Sequence, residues 1–224
     1  MFSKLYEKDA EFFASIKINR SKEDLLALTE AVYKKLTEIN KIHNLTRITS
    51  PEDFWEKHFI DSLLVLKVMP ELGTSSAKLV DVGCGGGFPT FPLALVNPDL
   101  EITSVDSVGK KINAINETAQ EVGLPKITAI HSRARELARL DEHNMAYDFM
   151  TARAVAEAGP LIKECRQFLS AEGQIIFYKT PEAIVGEKKL TDREAKKYKF
   201  NLTESAKFLL SEESGERQFL IAKK

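Results

Sequence analysis

Apolar positions recur at two periods along the chain, and one gives way to the other near residue 73. Leu25, Leu28, Val32, Leu36 and Ile39 keep the three-to-four spacing of a helix face. Ser21, followed by Asp24, is a helix-start signal of the capping-box kind. A second start is Ser50-Pro51-Glu52-Asp53, with proline at the first helical position. Its helix is predicted to run to about Val68 and to end before Pro70. No strand pattern occurs in this part. Residues 1–72 are therefore expected to be a helical extension packed on the core. No linker rich in glycine, proline or serine separates them from Leu79.

From Leu79 onward, strands alternate with helices. Short apolar, β-branched runs predict strands at 79–82, 101–105, 127–131, 147–151 and 174–178. Helices are predicted at 90–96, 110–122, 133–140 and 156–169. Gly123-Leu124-Pro125 and Ser170-Ala171-Glu172-Gly173 supply breaks between them. Such alternation implies a parallel sheet with right-handed crossovers. Residues 200–210 and 218–222 flank a polar turn and predict an antiparallel C-terminal hairpin that makes one sheet edge mixed. The expected fold class is α/β, a Rossmann-like, mostly parallel sheet over residues 73–224 forming one structural unit with the helical extension. There is no internal repeat and no low-complexity tract.

With 43% hydrophobic and 29% charged residues in 224, the chain has ample material for a packed core. No apolar run approaches a membrane span, and the charged N-terminus lacks the apolar core of a signal peptide. Two cysteines, Cys84 and Cys165, make no disulfide framework, and no Cys/His cluster has zinc spacing. These features point to a reduced, cytoplasmic protein with no metal and no membrane partner; a monomer is expected. A net charge of −1 argues against a surface that coats nucleic acid throughout, and leaves room for a local basic face.

The chemistry centres on Asp81-Val82-Gly83-Cys84-Gly85-Gly86-Gly87-Phe88-Pro89, directly after the first predicted strand. A glycine loop between strand and helix lets the backbone approach a ligand, and the helix start offers free N–H groups. Gly83, Gly85 and Gly87 give G-x-G-x-G, not the dinucleotide G-x-G-x-x-G. Asp106 closes the next strand, 19 residues past Gly87, in place to hold two ribose hydroxyls. Together these resemble S-adenosylmethionine (SAM) methyltransferases more than NAD enzymes; the bland alternative is a glycine turn in another α/β protein.

Ligands bind at the carboxyl ends of strands in such sheets. The remaining ends carry Lys110 and Lys111, then Ser132-Arg133-Ala134-Arg135, then Arg153, then Lys179-Thr180-Pro181. Arg153, among small residues, has the fork to hold a carboxylate or phosphate, against the alternative of an unpartnered surface arginine. In the extension, His58, Asp61 and Ser62 stand at i, i+3 and i+4 on one helix face. A lone histidine there is more often a structural hydrogen-bond partner than a catalyst. The lysines of residues 188–199, interleaved with acids, read as a solvated helix without a role.

The ordered set Asn44-Leu45-Thr46, His58-x-x-Asp61-Ser62, the glycine loop, Asp106-Ser107-x-Gly109-Lys110-Lys111, Ser132-Arg133-Ala134 and Thr151-Ala152-Arg153-Ala154-Val155-Ala156 resembles one family. It is the glucose-inhibited division protein B family of small-subunit ribosomal RNA guanine-N7 methyltransferases. The resemblance covers the chain from Asn40 to Tyr178 and implies methylation of N7 of one guanine in 16S rRNA, with SAM as cofactor. It implies a cofactor site on Gly83, Phe88, Ala134, Arg135 and Arg153; Gly85, Gly87 and Asp106 are added from the loop and the fold. Asn44, His58, Ser62, Lys110, Lys111 and Lys179 are expected on the side of the 16S rRNA or small ribosomal subunit. Arg135 replaces the acid, and Thr180 the glycine, that relatives often carry. No general base is expected, because guanine N7 holds a lone pair and no proton. Rival readings are a small-molecule SAM methyltransferase and a non-catalytic SAM- or nucleotide-binding protein associated with ribosomes.

Overall fold

Ser21 starts a long helix as its spacing predicts, its hydroxyl accepting from the Asp24 amide at 3.1 Å. In the computed structural model, residues 1–43 and 50–224 are described, so Asn44 lies outside the described residues. Two short helices, α1 (Phe2–Lys8) and α2 (Ala10–Ala14), precede α3 (Lys22–His43), which buries Leu25, Val32, Leu36 and Ile39. Ser50 caps the next helical segment, accepting from the Asp53 amide at 3.1 Å with Pro51 in the first turn.

That segment differs from the uniform helix its sequence predicts. It begins as α4 (Pro51–Asp53), widens into a π-helical stretch Phe54–Ile60, narrows to α5 (Asp61–Leu63) and ends as a 3-10 turn Leu64–Lys67. The apolar pairs Phe54/Trp55 and Phe59/Ile60 lie five apart and are all buried, a spacing that the wider turn places on one face.

The sheet is built from β1 (Lys78–Val82), β2 (Glu101–Asp106), β3 (Ile127–His131), β4 (Tyr147–Arg153), β5 (Leu169–Lys179), β6 (Asn201–Glu204), β7 (Phe208–Ser211) and β8 (Gly215–Lys223). Among the described residues its order is β3-β2-β1-β4-β5-β8-β6, with β7 paired to β8. Strands β1 to β5 run parallel, and β8 is antiparallel to β5, β6 and β7. The helices between them are α6 (Thr90–Val96), α7 (Gly109–Val122), α8 (Ala134–Leu137), α9 (Ala158–Cys165) and α10 (Pro181–Tyr198).

Alternation along β1 assigns its neighbours to opposite faces. Leu79 joins one apolar cluster with Phe2, Leu25, Trp55, Phe91 and Ile115, so the N-terminal helices share a core with α6 and α7. Val80 joins the other with Met150, Ile162, Phe177 and Ile184, under α9 and α10.

Four expectations change. The helix predicted at 133–140 contracts to α8, and that at 156–169 to α9 with a 3-10 turn Arg166–Phe168. The break predicted at 170–173 lies inside β5, absorbed by a register shift opposite Tyr147 and Phe149. Residues 200–210 make two strands, not one, and β8 pairs antiparallel with both as well as with β5, so the sheet is mixed at that edge as expected. Thr180 caps α10, its hydroxyl accepting from the Ala183 amide at 3.3 Å ahead of Pro181. The threonine at this position is thus a helix cap.

Candidate active site

The crossovers leaving β1 and β4 diverge, which opens a crevice at the carboxyl ends of these strands. Its floor is a polar knot. Asp81, fully buried on β1, accepts from Thr90 Oγ1 at 2.7 Å and Thr151 Oγ1 at 2.9 Å. The Thr90 oxygen lies 2.7 Å from Ser104 Oγ. One carboxylate thereby ties β1, β2, β4 and α6 together below the glycine loop. Burial pushes its pKa up to about 6, against the pull of the two threonine hydroxyls.

Above the knot, Gly83 and Gly87 have φ of 69° and 93°. A Cβ on Gly83 would fall 2.3 Å from Cγ2 of Val155, and one on Gly87 would fall 2.3 Å from the Phe91 ring. Gly83 borders the crevice. Gly87, expected at the cofactor, is buried against Phe91 and Ile115 and borders neither cavity described below. Its lack of a side chain allows the close packing of α6 on the loop.

Two cavities lie along the crevice, about 710 and 550 Å³, and share Gly83, Lys111, Ala154, Val155 and Ala156 as walls. The smaller is lined by Asp106, Ser132, Ala134 and Arg135. Asp106 accepts from the Gly85 amide at 3.0 Å and from the Val108 amide at 2.9 Å, with Lys111 Nζ 3.8 Å away. Each oxygen keeps a lone pair for a further donor such as a hydroxyl. Lys110, one residue on from the start of α7, is exposed and outside both cavities.

The larger cavity takes in Gly85, Phe88, Arg153, His58 and Lys179. Arg153, at the end of β4, turns inward to the extension. Its Nη1 donates to Asp61 Oδ2 at 2.8 Å and to the Lys57 carbonyl at 3.2 Å, and Nη2 lies 3.3 Å from His58 Nδ1. Asp61 holds a second guanidinium through its other oxygen, which accepts from Arg217 Nε at 2.8 Å. Arg217 carries no local motif, and nothing in its sequence surroundings predicts a place at the site. It arrives because β8 runs antiparallel to β5 in the register Lys179 to Gln218.

His58 stacks on Phe88, and burial, then Arg153, holds its pKa down at about 3. Ser62, expected on the RNA side, is fully buried instead. Its hydroxyl donates to the His58 carbonyl at 2.5 Å and its carbonyl accepts from Tyr178 Oη at 3.0 Å, so it braces the helix and does not reach the cavity. Lys179 does line the cavity, and its ammonium donates to the Ala156 carbonyl at 2.9 Å and to Glu187 Oε1 at 2.8 Å. Burial, with Asp81 and Asp106 nearby, pushes the Cys84 thiol up, and burial pushes Cys165 up to about 12, so neither is a thiolate near neutral pH.

Comparison with known proteins agrees with this architecture. Solved structures with the same fold include an O-methyltransferase from Bacillus cereus in complex with SAH, at a TM-score of 0.58 and 12% identity, over 86% of this chain and 90% of that one. A SAM-dependent O-methyltransferase from Thermotoga maritima has a TM-score of 0.57 and 16% identity, over 83% of this chain and 70% of that one. At these identities the likeness establishes the fold. Ribosomal RNA small subunit methyltransferase G of Lactobacillus delbrueckii subsp. bulgaricus is 37% identical over 151 residues, 67% of this chain and 63% of that protein. The protein of the same name from Mesoplasma florum is 39% identical over 180 residues, 80% of this chain and 71% of that protein. The match therefore spans a little under two thirds of the length of the first of these relatives. The sequence model of the family described as GidB, rRNA small subunit methyltransferase G, matches residues 26–218, and the chain belongs to that family.

Proposed function

We propose that this chain is a SAM-dependent methyltransferase acting in the cytoplasm on N7 of one guanine in 16S rRNA, free or within the small ribosomal subunit. The observation that carries this reading is the charge of the larger cavity. Lys57, Lys111, Arg153 and Arg217 line it, with Asp61 the carboxylate among its lining residues and with Asp53 and Asp106 paired to Lys57 and Lys111 from beyond it, in a chain whose net charge is −1. Cations so concentrated at the carboxyl ends of the strands suit a phosphate-bearing substrate.

The residues present fit the cofactor. A Cβ at Gly85 would meet nothing closer than the Gly83 carbonyl oxygen at 3.9 Å, so the loop's outer surface is open to a ligand. Beside it, the Asp106 carboxylate has acceptor capacity for ribose hydroxyls. Asp106, Ala134 and Arg135 would hold the adenosine part, and Gly83, Gly85, Phe88 and Arg153 the amino-acid end. When bound, SAM supplies a methyl group on a positively charged sulfur.

The chain's own task is alignment. Guanine N7 attacks with its lone pair, so no side chain has to remove a proton, and orientation supplies much of the rate. The site matches that demand. His58 stays neutral at any pH well above 3, and both thiols stay protonated, so none of these groups is poised for proton transfer or nucleophilic attack. On the RNA side, His58, Lys57, Lys111 and Arg217 line the cavity, with Lys110 exposed outside it.

The test is transfer of labelled methyl from SAM to 16S rRNA and to small subunits from a strain lacking this modification. Label recovered as 7-methylguanosine at one position is the expected result. Label on no RNA, with SAM still bound, overturns the reading.

A further inference from the structure

Residues 154–156, between β4 and α9, form the stretch of wall common to both cavities. Ala154 stands at φ 54°, a left-handed conformation that a residue with a side chain keeps only when its surroundings hold it. Val155 is 43% exposed, yet its methyls rest on Gly83. It stands where the two halves of the crevice meet.

Two side chains grip this segment from other elements. Lys179, at the end of β5, donates to the Ala156 carbonyl. Glu187, on α10, accepts from Lys179 with one oxygen and from the Ala158 amide at 2.9 Å with the other. The pair is 11% and 16% exposed. Both carboxylate oxygens and two of the three ammonium protons are thus directed at the wall or at each other. Charge-assisted bonds of this kind, shielded from water, are the strong ones.

A grip on RNA phosphate is the rival role for Lys179, since it sits among the cavity's cations. Its geometry favours the wall. The ammonium is turned to Ala156, and its charge is balanced by Glu187 at 2.8 Å.

We propose that Glu187 and Lys179 are positioning residues for the cofactor, holding residues 154–158 against the glycine loop so that Val155 meets Gly83 and the two halves of the crevice keep a fixed spacing. This rests on the methyltransferase reading above. Neither residue touches the reacting atoms. Without the pair, the strained turn at Ala154 samples other arrangements, and a ligand that spans both halves binds more weakly in proportion to the time the wall is out of place.

The experiment measures S-adenosylhomocysteine binding by calorimetry, and the KM values for SAM and for RNA, on the full chain. Glu187→Gln and Lys179→Met are each expected to raise the dissociation constant and the KM for SAM about tenfold, with the KM for RNA unchanged. Lys179→Arg, which keeps the cation and its donors, restores binding towards the unsubstituted level. A raised KM for RNA in Lys179→Met, with cofactor binding intact in Glu187→Gln, overturns the proposal and returns Lys179 to the substrate side. Should either variant fail to fold, Val155→Ala tests the same wall with the ion pair in place, and unaltered binding there also overturns it. Failure of the unsubstituted protein to bind S-adenosylhomocysteine would instead sink the methyltransferase reading.

Discussion

The imidazole of His58 lies flat on the ring of Phe88, 4.1 Å between centroids and 5° from parallel. One comes from the N-terminal helices and the other from the glycine loop, so this contact closes the extension over the crevice. The Phe54 ring meets both edge-on, at 6.2 and 5.7 Å. A guanidinium carries no acceptor, so His58 Nδ1 accepts from Arg153, which requires the imidazole to be neutral.

A pH dependence follows. Burial first, and Arg153 second, hold the folded pKa at about 3, below the ordinary 6.5. Between these values the unfolded chain binds a proton at this residue and the folded chain does not, so stability is lost as pH falls through 6.5. Asp81 acts in the opposite sense. Its folded pKa is raised from 3.8 to about 6, so the folded state holds the proton in that window and stability falls as pH rises through it. The two slopes oppose each other wherever the windows overlap. His58→Phe keeps a ring on Phe88 and removes one slope. Its unfolding midpoint, relative to the unsubstituted protein, is expected to rise steadily as pH is lowered from 6.5 towards 3. A difference that stays constant with pH would show that the imidazole titrates normally.

Asp61 bridges two guanidinium groups at 2.8 Å each. Asp61→Ala leaves both cations without their carboxylate in a largely buried place. A loss of roughly 3 kcal/mol in chemical unfolding is expected, the lower end for a broken buried pair because the arginines keep some contact with water. Arg217→Ala costs less, since Asp61 and Arg153 remain paired. A double-mutant cycle on Asp61 and Arg217 that gave no coupling would show that water replaces the bond.

Two glycines with positive φ separate conformational strain from contact. Gly123, at φ 77°, ends α7, and a Cβ there would meet nothing within 4 Å, so Gly123→Ala carries only the left-handed penalty of about 1 kcal/mol. Gly83→Ala meets Val155 as well. Its loss of stability is expected to exceed that of Gly123→Ala by roughly 1–3 kcal/mol of overpacking. S-adenosylhomocysteine binding should weaken in Gly83→Ala and not in Gly123→Ala. Equal effects on binding would mean that Gly83 does not border the cofactor.

Much of this architecture is legible in local sequence, and the reason is physical. Strands β1 to β5 carry apolar β-branched runs, and the loop after β1 announces itself because only glycine suits its backbone. Asp106 and Arg153 are readable as crevice-lining residues because the fold rule directs attention to strand ends. Helix α10 has a start signal, Thr180-Pro181, that its many charges obscure. Glu187 cannot be told from its solvated neighbours in sequence, since one helix turn decides whether it faces water or Lys179. Arg217 is hidden for a different cause: its place depends on the register of an antiparallel strand inserted between β5 and β6, and no local spacing encodes that register. Ser62 shows the converse failure. Sharing a helix face with His58 does not put it at the surface, because the π turn and Tyr178 enclose it.

Lys110 and Lys111 are neighbours in sequence with different surroundings, which gives a test of where RNA lies. Lys111 lines both cavities, 3.8 Å from Asp106, and Lys110 is exposed outside both. A lysine that neutralises one phosphate releases one condensed counterion, so its removal lowers the slope of log K against log salt by about 0.7 to 0.9. Lys110→Ala is expected to reduce the slope for RNA binding by about that amount and to leave S-adenosylhomocysteine affinity unchanged. Lys111→Ala should weaken both ligands, because the same ammonium stands beside Asp106, the acid proposed to hold the ribose. A salt slope unaltered in both variants would move the RNA path away from the start of α7, towards the Lys57 and Arg217 side of the larger cavity.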